Sequence, residues 1–333
     1  MRGGLKITVL GAGAWGTALA IVLARSGHTV KLAVRRKPQL AALRHDRENR
    51  AYLSAVQFPS ELQLAEMRPG CIDDVDAIVM AIPSGFARAT LAPMAFAIPQ
   101  ESLMISVSKG IEQDSLRTMS QMLAELAPPT SRIAVLSGPG FALEIARGKP
   151  AALVAAAHSE AVAGRIQHLF AAKPLRVYRS LDVIGVELGG ASKNVIAIAA
   201  GISDGLALGS GARAALITRG LAEMMRLAGA AGAKQESLAG LAGLGDLVLT
   251  STGDLSRNRR LGLALGRGEQ ISLPAEGASI AEGISNARAI VRLAERYSVE
   301  VPISSAVHRV LYEAASPGAM VEELLSRELK AEF

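Results

Sequence analysis

Cysteine is nearly absent from this sequence, since Cys71 is the one cysteine in 333 residues. A single thiol excludes an internal disulfide framework and a zinc site built from several cysteines. It suits a reducing compartment, so we expect a cytoplasmic protein. The five histidines are scattered singly, without the spacing of metal ligands, and we predict no metal site.

Aromatic residues are scarce as well, at 3% of the chain, and there is no long run of lysine or arginine. We therefore expect no nucleic-acid partner, because neither stacking platforms nor a polybasic stretch is present. The net charge is +6, from 36 basic and 30 acidic residues. A charge of this size either keeps the protein soluble or attracts anionic ligands. The densest basic stretches, at 35–37 and 257–260, suit a ligand of the size of a phosphate.

Residues 7–24 carry no charge, and a run of this length raises the question of a membrane span. Three glycines interrupt the run. Its first half predicts a β-strand and its second half a helix, so we expect no stable membrane insertion.

Short apolar runs alternate with helical segments in the first half of the chain. Continuous apolar runs are typical of parallel strands that are covered on both faces. Helices are predicted between them, including one over 115–126 that Asp114 would cap. The alternation predicts a doubly wound, Rossmann-type α/β sheet. The predicted strands span 5–10, 28–34, 76–82, 102–108, 132–137, 151–157 and 175–180.

After residue 180 the strand pattern ends, and long helices rich in small residues are predicted. They lie near 182–203, 211–230, 283–297 and 303–315. The second half is therefore predicted to be all-α. Because 333 residues are too many for one ordinary core, we predict two domains, at 1–180 and 181–333.

The segment "VLGAGAWG" places three glycines between the first strand and the first helix. In this G-x-G-x-x-G pattern Gly11 permits the tight turn, Gly13 lets the backbone approach a pyrophosphate, and Gly16 allows close packing of helix on strand. Ala14 and Trp15 lie in the same turn. Strand, motif, helix and second strand together predict a dinucleotide-binding domain.

The end of the second strand reads "AVRRK", with no carboxylate between Gly16 and Asp46. A carboxylate there would bond the ribose of NAD, whereas arginine accommodates the additional phosphate of NADP. Arg35 and Arg36 therefore favour NADPH, with NADH tolerated. The alternative is that both arginines belong to a solvated loop.

Three charges stand alone in apolar or glycine-rich surroundings: Lys109, Lys193 and Asp246. Each one alone is compatible with a solvent-facing side chain. Together they suggest a polar cleft between the two halves, because buried charges must pair with one another or with a ligand.

In "LSRNRRLG" the successive side chains of Ser256, Arg257 and Asn258 precede a helical stretch. They could form a phosphate cradle at a helix N-terminus. On these residues alone an ordinary N-terminus is favoured, with Ser256 as its cap.

The chain closely resembles bacterial-type NAD(P)-dependent glycerol-3-phosphate dehydrogenases, nearly from end to end. The resemblance is carried by "VLGAGAWGTALA", "SVSKGIE", "LSGPGFALEIARGKP", "ELGGASKNVIAIAAGISDGL", "RAALITRGLAEM", "LAGLGDLVLTSTGDLSRNRRLG" and "AEGISNARAI". It implies reversible reduction of dihydroxyacetone phosphate to sn-glycerol 3-phosphate, which feeds glycerophospholipid synthesis. It also implies that residues 1–180 bind the cofactor, that residues 181–333 bind substrate and dimerise, and that the enzyme is a homodimer.

The resemblance also assigns roles to residues. Lys193 becomes the proton donor or acceptor, Lys109 contacts cofactor and substrate, and Asp246 joins them in catalysis. Substrate positions are Lys109, Gly138, Gly140, Lys193, Asp246, Ser256, Arg257 and Asn258. Cofactor positions are Gly11, Gly13, Ala14, Trp15, Gly16, Arg35, Arg36, Lys109, Ala142, Arg257, Ile280 and Glu282.

Two positions depart from the family pattern. Gly140 stands where Ser or Thr is usual, and Ala14 stands where Ser is frequent. Two readings remain as alternatives to the one that the resemblance implies. One is a two-domain 3-hydroxyacid or sugar-acid dehydrogenase, and the other is an NADPH-binding protein without catalysis.

Overall fold

The structure is a computed structural model that describes residues 4–172, 175–269, 281–329 and 331. In these residues every strand lies before residue 181 and only helices and turns follow. The α/β fold class with a helical second half is therefore confirmed. The division into two domains at residue 180 stays a prediction.

Ten strands form a main sheet and a separate hairpin within the described residues. The sheet order is β10-β9-β8-β7-β6-β1-β2-β5, and β3 pairs with β4. The chain moves outward on both sides of β1, which creates a crevice at the carboxyl ends of the central strands. The strands are β1 (Lys6–Leu10), β2 (Thr29–Val34), β3 (Glu48–Asn49), β4 (Leu53–Gln57), β5 (Gln63–Glu66), β6 (Ala77–Met80), β7 (Leu103–Ser106), β8 (Arg132–Ser137), β9 (Ala151–Ala157) and β10 (Leu175–Ser180).

The seven strands predicted from apolar runs are present, but the expectation of parallel strands throughout is wrong. β9 runs antiparallel to β8, and β10 follows β9 in parallel. The connection between β8 and β9 contains only the helix α5 (Ala142–Ala146). Five helical residues span about 7.5 Å, which is too short to carry the chain back along a strand. β9 is nevertheless buried, so its apolar run does not reveal its direction.

Helices cover both faces of the sheet. The helix predicted over 115–126 begins later, at Met119, and its N-cap is Thr118 rather than Asp114. Leu116 has a φ of 57°, which is incompatible with a right-handed helix at that point. Besides α5, the helices of this half are α1 (Ala14–Arg25), α2 (Lys37–Asp46), α3 (Ser84–Leu91), α4 (Met119–Leu126) and α6 (Glu160–Phe170).

The second half is built around one long helix, α7 (Val183–Gly205), which is buried on all sides. Within the described residues α7 alone has the length and apolar character of a membrane span, yet 94% of its most apolar window is buried in the protein, as in a core helix. The helices that surround it are α8 (Gly209–Ala230), α9 (Gln235–Ala239), α10 (Asp246–Thr252), α11 (Arg257–Gly266), α12 (Gly283–Tyr297), α13 (Pro302–Tyr312) and α14 (Pro317–Leu325).

α7 and α11 pack in backbone contact. A Cβ placed on Gly262 would lie 2.0 Å from the carbonyl oxygen of Ile198, and one on Gly201 would lie 2.1 Å from that of Arg259. Only glycine permits this approach. The contact brings the N-terminus of α11 against the middle of α7.

Candidate active site

A cleft of about 580 Å³ lies where the carboxyl ends of the central strands face α7, α10 and α11. Most of the residues singled out from the sequence line it. Gly138 lies just outside this lining, although its carbonyl oxygen accepts a hydrogen bond from Lys109 Nζ at 3.0 Å. Ile280 lies outside the described residues. The lining residues are Gly11, Gly13, Ala14, Trp15, Gly16, Arg35, Arg36, Lys109, Gly140, Ala142, Lys193, Asp246, Ser256, Arg257, Asn258 and Glu282.

The glycine turn fits a dinucleotide phosphate. Gly11 has a φ of +111°, and a Cβ there would lie 2.6 Å from the carbonyl oxygen of Ala81. A Cβ on Gly16 would lie 2.1 Å from the oxygen of Gly11, whereas one on Gly13 would have no neighbour within 4 Å. Gly13 thus presents bare backbone to the cleft at the start of α1, where anions bind to free N–H groups. The residues present therefore fit a nicotinamide dinucleotide.

The end of β2 carries two exposed guanidinium groups. Arg36 Nη2 donates a hydrogen bond to the Tyr52 hydroxyl at 2.7 Å, and Arg35 Cζ lies 5.8 Å from the centroid of the Phe86 ring. Tyr52 and Phe86 also line the cleft, and neither was predicted from the sequence. In the described lining the acidic residues are Asp246 and Glu282, and both interact with Lys109 and Lys193.

The three isolated charges meet on the floor of the cleft. Asp246 Oδ1 accepts a hydrogen bond from Lys193 Nζ at 3.0 Å, and Asp246 Oδ2 accepts one from Lys109 Nζ at 2.6 Å. Lys193 comes from α7, Asp246 from α10 and Lys109 from the loop after β7. Lys193 is 5% exposed and Asp246 1% exposed, and the side chain of Lys109 is 13% exposed, so a single buried carboxylate holds one buried and one partly buried ammonium group.

The surroundings of Lys193, Asp246 and Glu282 shift the pKa of each of these side chains. Burial lowers the pKa of the Lys193 ammonium to about 8, and Lys109 adds to this effect while Asp246 opposes it. Burial would raise the pKa of Asp246, but the two lysines outweigh it, and the pKa lies below its usual value. Burial also raises the pKa of Glu282, against the opposing effect of Arg257. Lys193 can therefore exchange a proton near neutral pH.

Thr250 completes the surroundings of Lys193, although its role was not predicted from the sequence. Lys193 Nζ donates a hydrogen bond to Thr250 Oγ1 at 2.7 Å. Thr250 follows Asp246 by four residues, so both lie on the same face of α10. That spacing is the feature of the sequence from which Thr250 could have been found.

Buried amides connect the helices beside the cleft, and they too were not recognised as a network. Asn194 Oδ1 accepts a hydrogen bond from Asn258 Nδ2 at 2.8 Å, and Asn258 Oδ1 accepts one from Gly283 N at 3.0 Å. Asn286 Nδ2 donates to the carbonyl oxygen of Lys109 at 2.9 Å. These bonds fix α7, α11, α12 and the loop after β7 relative to one another.

The N-terminus of α11 points its first residues at the cleft. Ser256 is the N-cap, and its hydroxyl oxygen accepts a hydrogen bond from Arg259 N at 3.1 Å. Arg257 and Asn258 follow and line the cleft. Ser256 is thus the cap of a helix, and the same turn also presents a guanidinium and the positive end of the helix dipole to a ligand.

Two protein-family models match the chain. The model for the N-terminus of NAD-dependent glycerol-3-phosphate dehydrogenase matches residues 6–163, and the model for its C-terminus matches residues 182–322. The chain belongs to this family.

The relatives agree with the family models over the whole chain. The sequence is 47% identical to the NAD(P)+ glycerol-3-phosphate dehydrogenase of Citrifermentans bemidjiense, over 98% of both chains. It is 48% identical to the enzyme of the same name from Thioalkalivibrio sulfidiphilus, over 98% of this chain. The crystal structure of glycerol-3-phosphate dehydrogenase from Coxiella burnetii superposes with a TM-score of 0.92, at 40% identity, and the match covers 97% of this chain and 99% of that chain.

Gly140 is the position where the resemblance predicts Ser or Thr, and that departure stays a prediction. A Cβ on Gly140 would lie 2.7 Å from Ile145 Cδ1 and 3.5 Å from Trp15 Cη2. A Ser or Thr at this position would therefore displace the end of the Ile145 side chain. Gly140 and Ile145 thus form a matched pair beside Trp15.

Proposed function

We propose that the protein catalyses the reversible reduction of dihydroxyacetone phosphate to sn-glycerol 3-phosphate, a building block of glycerophospholipids. Membership of the glycerol-3-phosphate dehydrogenase family favours this reaction over the two alternatives left open by the sequence. The observation that carries the proposal is the buried Lys193 ammonium, held by Asp246 and Thr250 on the floor of the cleft that also contains the glycine turn.

The substrate phosphate binds at the N-terminus of α11. Arg257 offers a planar, permanently charged group, and the N-terminal end of the helix dipole adds partial positive charge. Asn258 lies beside it, with both ends of its amide engaged by Asn194 and Gly283. Binding energy from the phosphate then positions the carbonyl group for reaction.

Lys193 is the proton donor in reduction. Negative charge grows on the carbonyl oxygen as the carbonyl carbon gains hydride, and an ammonium held against that oxygen stabilises the charge and transfers its proton. In the oxidative direction the neutral Lys193 amine accepts the hydroxyl proton. A pKa of about 8 leaves both protonation states accessible near neutral pH.

Lys109 joins the substrate site to the cofactor site. Its Nζ bonds Asp246 and the carbonyl oxygen of Gly138, and it lies 5.7 Å from the centroid of the Trp15 ring. The nicotinamide cofactor, when bound, supplies or accepts the hydride. The residues that would hold it are those of the glycine turn, Arg35, Arg36, Trp15, Ala142, Arg257, Glu282 and, by resemblance, Ile280.

NADPH is the proposed preferred cofactor, with NADH as a weaker alternative. Arg35 and Arg36 offer two guanidinium groups where a 2′-phosphate would lie, and the chain has no carboxylate between Gly16 and Asp46. The relatives' names specify NAD(P)+ and do not distinguish between the two.

The proposed assembly is a homodimer in the cytoplasm, without insertion in a membrane. Large apolar side chains lie exposed on the helical half, and a second copy could cover them. The single buried cysteine suits a reducing compartment. These exposed side chains include Leu208, Leu244, Val248 and Leu255.

The decisive experiment follows absorbance at the NADPH band after addition of dihydroxyacetone phosphate to purified protein. We expect rapid oxidation of NADPH, slower oxidation of NADH, and little turnover with 3-oxoacids or oxidised sugar acids at equal concentration. Turnover of an oxoacid with none of the phosphorylated ketone would favour the first alternative. Binding of NADPH without oxidation of it by any of these substrates would favour a protein without catalysis.

A further inference from the structure

The carbonyl oxygen of Ala12, in the middle of the glycine turn, accepts two hydrogen bonds from outside the turn. Gln39 Nε2 donates to it at 2.9 Å and Asn49 Nδ2 at 3.0 Å. Gln39 belongs to α2 and Asn49 to β3. A carbonyl oxygen has two lone pairs, so both are used by these side-chain amides.

This arrangement fixes the direction of the next backbone N–H group. In a trans peptide the C=O of one residue and the N–H of the next point in opposite directions. With the Ala12 oxygen held toward α2 and β3, the N–H of Gly13 is directed to the other side of the turn. Gly13 lines the cleft there and has open space around it.

Asn49 is the more rigid of the two supports. Its side chain is 0% exposed, and its Nδ2 also donates to Thr17 Oγ1 at 2.8 Å. The orientation of the Asn49 amide is fixed by these contacts. The reverse orientation would place Asn49 Oδ1 against the Ala12 oxygen, and two acceptors cannot form a hydrogen bond with each other. Gln39 is only partly buried. Rotation of Asn49 would break both hydrogen bonds of its buried Nδ2, and an unbonded buried donor is costly, so Asn49 has little freedom to rotate away.

We propose that Asn49 is a positioning residue for the cofactor: through the Ala12 carbonyl it aims the N–H of Gly13 at the pyrophosphate, with Gln39 as a second support. The inference rests on the proposed nicotinamide-cofactor site. Because the pyrophosphate is common to all four nicotinamide dinucleotides, loss of Asn49 affects NADP+ and NAD+ alike.

The test is Asn49→Asp, which keeps the shape and replaces the NH₂ donor with an oxygen. Isothermal titration calorimetry at pH 8 is expected to show roughly tenfold weaker binding of both NADP+ and NAD+, the usual size of a lost buried hydrogen bond. Burial raises the pKa of a carboxyl group, and a protonated carboxyl can donate to the Ala12 oxygen. Binding by the variant is therefore expected to recover toward wild type at pH 5.5.

Thr17→Val is the matched control. It removes the second acceptor of Asn49 but leaves both bonds to the Ala12 oxygen, so nucleotide binding should stay within twofold of wild type even if the Tm falls. Gln39→Leu is the second test variant, should Asn49→Asp not fold, and is expected to weaken both nucleotides severalfold to the same extent.

Three outcomes would overturn the inference. The first is unchanged nucleotide binding by Asn49→Asp at pH 8, or by Gln39→Leu if only that variant folds. The second is a loss of affinity in Thr17→Val as large as in the test variant. The third is a loss of affinity for NADP+ without a loss for NAD+. Failure of the wild-type protein to bind either nucleotide would overturn the proposed function itself, and this inference with it.

Discussion

At the scale of single residues, the arrangement of charge around Asp246 is the feature on which the proposed chemistry depends. One carboxylate accepts hydrogen bonds from two lysines, and all three groups are largely removed from water. The net positive charge that remains suits a phosphorylated substrate. Lys193 and Lys109 are nevertheless not equivalent, because burial lowers the pKa of Lys193 to about 8.

Replacement of Lys193 by methionine should separate catalysis from cofactor binding. The variant keeps the apolar stem and leaves Asp246 paired with Lys109, but it removes the proton donor. We expect kcat to fall by roughly 10²–10⁴-fold, the range for a general acid. NADPH affinity, measured by quenching of Trp15 fluorescence, should stay within twofold. A kcat within tenfold of wild type would show that another group carries the proton.

The pH dependence should follow the protonation state of Lys193. Reduction needs the ammonium, so its rate should decline as the pH rises through about 8, while the oxidation rate should rise over the same interval. Asp246 raises and Lys109 lowers the pKa of Lys193. Asp246→Asn should therefore move the inflection to lower pH and Lys109→Met to higher pH, whatever their effects on kcat. Shifts of the same sign in both variants would exclude this electrostatic account.

Sequence reasoning reached the charged residues of the site more readily than its neutral ones. A lone lysine or aspartate in an apolar segment is conspicuous, because burial of an unpaired charge is so unfavourable. Thr250, Asn286 and Tyr52 are compatible with almost any position on a helix or loop. Their contacts depend on how the helices pack, and no pattern along the chain specifies that packing.

At the scale of elements, the crossing of α7 and α11 connects packing with substrate binding. Backbone contact at Gly201 and Gly262 leaves no space for a side chain between the helices. Asp204 near the end of α7 also bonds Arg259 of α11, with its Oδ2 2.7 Å from Nη2. The position of the α11 N-terminus, where Arg257 lies, is therefore set by α7.

Gly262→Ala should disturb both stability and substrate binding. Its Cβ would lie 2.0 Å from the Ile198 oxygen, so the helices must separate. We expect a loss of about 1–3 kcal/mol in the free energy of unfolding, as for overpacked cores. The KM for dihydroxyacetone phosphate should rise severalfold, and NADPH affinity should fall less, because Arg257 is only one of several residues that would hold the cofactor. Thermal unfolding and initial rates would measure these effects.

Gly211→Ala is the control for this variant. Gly211 lies in α8, and a Cβ there would meet no atom within 4 Å. The same change of residue should therefore leave KM unaltered and shift stability by less than about 1 kcal/mol. Alanine has a higher helix propensity than glycine, so propensity alone would stabilise both variants. Equal losses in both would mean that the α7–α11 contact does not account for the effect.

The elements themselves were predictable where they are long and apolar. The strands that line the sheet core were located to within a few residues, whereas β3, β4 and β5 were missed. They are short and carry polar residues such as Glu48 and Gln57, so neither length nor alternation distinguishes them from a loop. The direction of β9 was wrong because burial on both faces gives the same apolar run in either orientation.

At the scale of the whole molecule, the exposed apolar side chains on the helical half should be covered in solution. Sedimentation equilibrium is expected to give a mass near twice 34.6 kDa, independent of NADPH. The measurement should extend over a hundredfold range of protein concentration, so that a weak association is recognised. A mass of 34.6 kDa throughout that range would mean that the protein acts as a monomer.

The reversed pair β9 and β10 has a consequence for how much length variation the chain can accept. Because these strands run antiparallel to the others, β10 ends at the edge of the sheet that is opposite to the cleft. α7 begins at that edge, where Val183 packs with Val135 and Ala156. Farther along α7, Gly190 contacts the side chain of Lys109. A helix turns by about 100° per residue, so gain or loss of one residue between Val183 and Lys193 would swing the ammonium to another side of α7. The segment of α7 from Val183 to Lys193 is therefore fixed in length by the position of the ammonium group.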